Sequence, residues 1–306
     1  MNNTKTRKRF NRKETLTWYS FIAIPIIGFL VFTLYPIIWV MIKSAYYYTG
    51  SDATQVNVGL QNFVDLFTGD VAYWSSWKVT IKFALCKLPF ELPFAMIIAV
   101  LLNKKMKGAG FFRSLYYLPN VISVAVIGII FSNMFDYFGF VNGFLYENGI
   151  ISEKINWFAN ETTALSTLII ASIWSSFGVN VLYFLAAMQN IPEDLYESAK
   201  LEGAGRFTTF FKITLPMMAP VLQTILLLSI NGTLHINDLI LVTTNGAPAG
   251  KTYSVMAYVV SKFIPGFVTE TVNIGYGCAT ALVTSAIFIL IGVGYSKLTK
   301  KMSEIY

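Results

Sequence analysis

The single histidine, His235, is the natural place to look for catalytic chemistry. Asp238 follows three residues later, and Ser229 and Ser254 place hydroxyls within reach along the chain, so the three residue types of an acyl-transfer triad are present. Their order and spacing do not assemble a nucleophile, a base and an orienting carboxylate, and hydrolysis is not the expected activity. Cys86 and Cys278 each lie in apolar stretches without metal-ligand spacing and read as small buried hydrophobes. The stretch "GAPAGKT", 246–252, imitates a phosphate-cradling loop, but Gly246 is one residue too close to Gly250 and no strand precedes it. It reads as a turn.

The remaining polar residues of interest sit inside apolar runs: Lys82, Lys87 and Glu91; Asn120 and Ser123; Ser175, Ser176 and Asn180; and Ser229, Asn231, Thr233, His235 and Asn237. Polar groups in such runs face protein or a watery cavity, because lipid offers them nothing. Lys87 and Glu91 are spaced i,i+4 and are expected to pair with each other, a structural role. Ser176 and Asn180 share a helix face, as do Ser229, Thr233 and, one turn on, Asn237. With His235 they form the candidate lining of a solute pathway. Uncharged hydroxyls and amides suit a neutral polyhydroxylated solute; hydrogen bonding between helices is the competing role.

The elements that position these groups follow from composition. The 306 residues are 55% hydrophobic and 13% charged, with a mean hydropathy of +0.57. A soluble domain carries about 25% charged residues, so the chain is read as an all-α integral membrane protein. Six spans are expected, at Trp18–Ile42, Val79–Leu102, Leu115–Phe135, Ala164–Met188, Leu215–Ile236 and Asn273–Tyr295. Domain organisation then reads as a basic N-terminus over 1–17, a six-helix body over 18–296 and a tail over 297–306. Prolines at 25, 36, 89, 93, 119, 216 and 220 punctuate the spans, as in a protein with a moving pathway.

Charge sets the orientation. Lys5, Arg7, Lys8, Arg9, Arg12 and Lys13 precede the first span; Lys104, Lys105, Lys107 and Arg113, then Lys200, Arg206 and Lys212, then Lys297, Lys300 and Lys301 fall on the same side. The other side holds Lys43, Lys78, Lys154, Lys251 and Lys262. Both termini are therefore expected in the cytoplasm. The outer loops 47–78 and 137–162 carry carboxylates and, in the first, Trp74 and Trp77 at belt positions; they read as short caps.

One stretch breaks the pattern. "IPEDLYESAKLEGAGRFTTFFKITLPMMAP", 191–220, turns charged and then small between two apolar runs. Burying Glu193, Asp194, Glu197 and Glu202 in lipid would cost on the order of 10 kcal/mol, so the segment belongs in the cytoplasm between spans four and five. Pro192, Glu193 and Asp194 make a good helix start. Leu195, Ala199 and Gly203, continued by Ala204 and Gly205, form a stripe that narrows to almost no side chain. It is read as a docking knob for another backbone, against the alternative of a plain surface helix capped by Gly205.

Glu197-Ser198-Ala199, Gly203 and Ile213-Thr214-Leu215-Pro216 together resemble the EAA motif of binding-protein-dependent ABC importer permeases, departing at Ser198 and carrying Glu202 where aspartate is common. "VGLQNFVDLF" (58–67), "FFRSLYYLPNVIS" (111–123), "NIPEDLYESAKLEGAG" (190–205) and "TTNGAP" (243–248) are similar to the carbohydrate-uptake group. The likeness is to the maltose-transporter-type first permease in its six-span form. The resemblance implies a type I importer permease that is a transport subunit and not an enzyme, with a coupling helix at about 192–206. Glu197, Ser198, Ala199, Glu202, Gly203, Ala204 and Arg206 would meet a cytoplasmic ATPase there. It further implies a second homologous permease, two ATPase subunits that bind ATP and Mg, an extracellular or lipid-anchored solute-binding protein and a sugar substrate, with no cofactor in this chain. The rival reading is a secondary transporter or channel driven by an ion gradient, for which Glu91 is the one candidate carboxylate.

Overall fold

The computed structural model describes residues 12–51, 53, 55–103, 108–264 and 272–303; Lys5, Arg7, Lys8, Arg9, Lys104, Lys105 and Lys107 lie outside them. The chain is helical nearly throughout. Helix α1 (Arg12–Phe29) passes through a π-helical stretch, Leu30–Leu34, into α2 (Tyr35–Lys43), and the three form one apolar rod. A two-residue hairpin, β1 (Tyr46–Tyr47) against antiparallel β2 (Val56–Asn57), leads to α3 (Gln61–Thr68) and α4 (Val71–Leu102). Then come α5 (Ala109–Val121), α6 (Val124–Met134), α7 (Phe140–Glu147) and α8 (Glu161–Gln189). The polar interruption holds α9 (Glu193–Leu201) and α10 (Arg206–Thr209), continued by a π-helical stretch, Phe210–Thr214, and α11 (Leu215–Met217). The chain ends with α12 (Ala219–Leu234), α13 (Asp238–Thr243), α14 (Val255–Ser261) and α15 (Ile274–Ser303).

Five of these segments are long and apolar enough to cross a bilayer: Thr17–Lys43, Val71–Leu102, Glu161–Gln189, Ala219–Thr243 and Ile274–Lys300. The third expected span differs. It is a broken pair, Gly110–Val121 and Val124–Met134, bent by 91°. Helices of 13 and 11 residues rise roughly 20 and 17 Å, so neither alone crosses ~30 Å of hydrocarbon. The backbone turns extended at Ile122 (ψ 137°) and Ser123 (ψ 136°), just after Pro119. Other boundaries move by less: the second span begins at Val71, and α15 runs on to Ser303 through residues expected as a tail.

Both π-helical stretches end two residues before a proline, Pro36 and Pro216. Proline supplies no N–H to the carbonyl four residues back and its ring presses on that carbonyl, so a widened turn relieves the conflict.

Helices α4 and α8 form the most extensive helix pair. Helix α5 lies against α8 at Gly178, where any Cβ would collide with the carbonyl of Tyr116. Leu92, Ala95, Ala99, Phe177, Val181, Phe184 and Ile225 make one apolar cluster. Phe83, Ile127, Phe131, Leu165, Leu168, Leu239 and Ile240 make a second. Between them α4 and α8 are polar: Lys87 and Glu91 lie between Phe83 and Leu92, and Ser172 to Asn180 lie largely between Leu168 and Val181. The sequence thus builds two oily layers with a polar layer at mid-helix.

Candidate functional site: a polar cavity and an exposed helix

The polar layer borders an open cavity of about 360 Å³ among α4, α5, α6, α8, α12 and α13. That volume lies in the range of small-molecule sites. Ser176, Asn180, Ser229 and Asn237, expected from sequence as pathway residues, all line it.

Glu91 is the hub. Its side chain is 1% exposed, and Oε1 accepts from Ser176 Oγ (2.6 Å) and Asn180 Nδ2 (2.9 Å), both on α8. Oε2 lies 3.5 Å from Lys87 Nζ and accepts no hydrogen bond. Asn180 Oδ1 in turn accepts from Ser229 Oγ on α12 at 3.3 Å. The expected Lys87–Glu91 pair is present, but it is also the centre of a network joining three helices. Sequence reasoning missed this although a signal existed: an i,i+4 pair of charges on one span and an i,i+4 pair of small polar residues, Ser176 and Asn180, on another present matching stripes. It also missed Ser172, Gly232 and Asp238, which line the cavity as well.

Two expected pathway residues sit elsewhere. Thr233 is buried, and its hydroxyl donates to Ser229 O in its own helix (2.7 Å). His235 is exposed, with its ring 4.6 Å from that of Phe288 and Nδ1 bonded to Asn231 O (2.8 Å). Helix α12 ends at Leu234, so the 3.6-residue periodicity that set Asn237 on the face of Ser229 and Thr233 does not extend to His235 and beyond. The hydrolytic constellation is not assembled: Ser254 Oγ bonds to Ile236 O and caps α14 through Ala257 N (3.1 Å). The "GAPAGKT" stretch is a self-closed turn, with Thr252 Oγ1 donating to Ala247 O (2.8 Å).

The second candidate region is α9, nine residues long. Pro192 precedes it in an extended conformation, Glu193 and Asp194 occupy its first turn and Lys200 its last, so charges complement the dipole at both ends. Gly203 takes a left-handed φ of +75°. Gly203 N donates to Lys200 O (3.1 Å) and Ala204 N to Ala199 O (2.9 Å), which is the Schellman closure. The helix stop is therefore Gly203, and Gly205 begins α10 instead. Ala199 is 5% exposed and turned toward its own chain, while Leu201 is 90% and Phe207 84% exposed. Of the expected stripe, Leu195 and Gly203 face out and Ala199 faces in; Glu197, Ser198, Glu202 and Arg206 are exposed and Ala204 is half-buried. Tyr196 Oη lies 3.2 Å from Thr214 Oγ1, fastening α9 to the root of the next span.

Residues 91–304 match the family described as "Binding-protein-dependent transport system inner membrane component". The chain is 43% identical over 71% of its length to the probable ABC transporter permease protein YesP of Bacillus subtilis, covering 69% of that protein. It is 33% identical over 86% of its length to the lactose transport system permease protein LacF of Rhizobium radiobacter, covering 90% of that protein. In fold it is similar to a chain in the crystal structure of a bacterial ABC transporter that imports the acidic polysaccharide alginate, with a TM-score of 0.81, 21% identity and coverage of 94% and 96% of the two chains.

Proposed function

Because this chain belongs to the family of inner-membrane components of binding-protein-dependent transport systems, we propose that it is one permease subunit of an ATP-driven importer of a sugar or oligosaccharide. The single observation that carries the solute class is the cavity, where hydroxyl and amide side chains are held at mid-helix between two apolar layers. Ser176, Asn180, Ser229 and Asn237 would meet sugar hydroxyls there. Thr233 would contribute through the helix backbone it braces, and His235 would stand outside the pathway.

In this reading both termini are cytoplasmic and α9 is the coupling helix. Glu197, Ser198, Glu202, Gly203 and Arg206, with Leu201 and Phe207, would enter a cleft of a cytoplasmic ATPase subunit. Ala199 and Ala204 would seat the helix on its own span. A second homologous permease supplies the other half of the pathway, two ATPase subunits bind ATP and Mg, and a solute-binding protein delivers substrate at the outer face. Relatives named for lactose, arabinooligosaccharides and trehalose/maltose support the sugar class.

The test is reconstitution of the full complex in liposomes with radiolabelled lactose, maltose and arabinooligosaccharides. Uptake should require ATP and survive an ionophore. Uptake without ATP that collapses with the ion gradient would establish the gradient-driven alternative instead.

A further inference from the structure

We propose that Glu91 is a positioning residue that fixes the direction of the hydrogen bonds made by Ser176, Asn180 and Ser229, so that this part of the wall offers acceptors to the hydroxyl protons of the solute. This rests on the sugar-importer reading above and adds a residue from the second span, to which that reading gives no role.

Ser176 on α8 faces Glu91 on α4. Its one hydroxyl proton has two acceptors in range, Glu91 Oε1 at 2.6 Å and Ser172 O at 2.7 Å. A carboxylate is the stronger acceptor, because the bond is charge-assisted. Without it the hydroxyl falls back on its own helix, as serines in helices do. Asn180 is bound the same way. Glu91 takes its N–H, which turns the amide oxygen toward α12, and that oxygen takes the proton of Ser229. The donors of Ser176, Asn180 and Ser229 thus all run toward one carboxylate, and the two serine oxygens keep their lone pairs for the cavity. Lys87 leaves this pattern intact, since its ammonium addresses the other oxygen, Oε2. What the network requires of Glu91 is an acceptor oxygen in place at Oε1; its charge strengthens that acceptor and is balanced by Lys87 at Oε2.

Two double variants separate these contributions. Lys87→Met with Glu91→Gln removes both charges and keeps an acceptor oxygen of the same reach. Lys87→Met with Glu91→Leu removes the charges and the acceptor together. Each is reconstituted with its partner subunits and assayed with the saccharide that the wild-type complex moves best. The readout is saccharide taken up per ATP hydrolysed, a ratio that an unfolded fraction leaves unchanged. The glutamine pair should keep the wild-type ratio within about threefold, and the leucine pair should lose about tenfold or more, the scale of one or two misdirected hydrogen bonds. Equal ratios in the two pairs would overturn the proposal, whether both match wild type or both fall with the leucine pair. Should the leucine pair fail to assemble, Ser176→Ala takes its place, with a severalfold loss expected and an unchanged ratio overturning the idea. A wild-type complex that moves no saccharide would defeat the sugar reading itself, a different result from wild-type transport with an unexpected order among the variants.

Discussion

The cavity and the exposed helix invert each other. In the cavity, polar groups stand inside long apolar helices and are joined to one another: Glu91, Ser176, Asn180 and Ser229 link three helices. On α9 and α10, apolar groups stand in a polar stretch of the chain and are left uncovered: Leu201 and Phe207 are nearly bare beside Glu202 and Arg206. A chain stabilising only itself would exchange the two sets. Polar side chains buried at mid-membrane and apolar ones left bare outside it are both unfavourable alone, and each becomes favourable when something else arrives. Under the proposed function, the first region awaits a solute and the second a protein.

The hardest way to break this contrast is Lys87→Met, which leaves Glu91 buried without its counter-charge. A loss of about 3–5 kcal/mol is expected, read as a fall in the melting temperature of the purified complex, and Glu91→Gln added to it should recover most of the loss. On the other side of the comparison, Leu201→Ser and Phe207→Ser should leave the permease folded. Each should weaken binding of the purified ATPase by about 2 kcal/mol, roughly 30-fold in dissociation constant. Binding titrations that match wild type would remove these residues from the interface.

Gly203 sharpens the comparison with a smaller effect. Its left-handed φ makes Gly203→Val cost about 1–2 kcal/mol at the helix end, while Gly203→Asn should stay close to wild type, because asparagine tolerates that conformation. A Cβ at this position meets nothing within 4 Å, so steric conflict inside the chain does not contribute, and uptake assays of the two variants isolate the backbone effect. The smallest expected change is His235→Ala. The ring is exposed and outside the cavity, so stability should move by less than about 0.5 kcal/mol and uptake should not change; a lost uptake would return His235 to the pathway.

Much of this was legible in the residues. Apolar runs near 20 residues mark spans because the bilayer sets their length, and the carboxylates of 193–202 mark an exit from lipid for the same reason. The faces of Ser176 with Asn180 and of Ser229 followed from helical periodicity. Three things were not legible. Hydropathy carries no direction, so the apolar stretch through Pro119 and Ile122 looked continuous although it turns by 91°. Periodicity places Ala199 on one line with Leu195 and Gly203, but a small residue suits a close contact on either side, and only packing decides that Ala199 faces inward. The two i,i+4 stripes of α4 and α8 match, but the role of Glu91 also depended on those helices standing opposite each other, a long-range fact that spacing only hints at.

The corner at Ile122 and Ser123 has a mechanical consequence. An unbroken rod resists a change of angle because its ladder of backbone bonds must stretch or snap. Here that ladder is already interrupted, and the two arms have different main neighbours, α8 for α5 and α13 for α6. Opening or closing the elbow sacrifices no rung. Asn120 and Val124, on either side of it, line the cavity, so any swing of one arm resizes the chamber directly, like the jaw of a wrench turning about its pin.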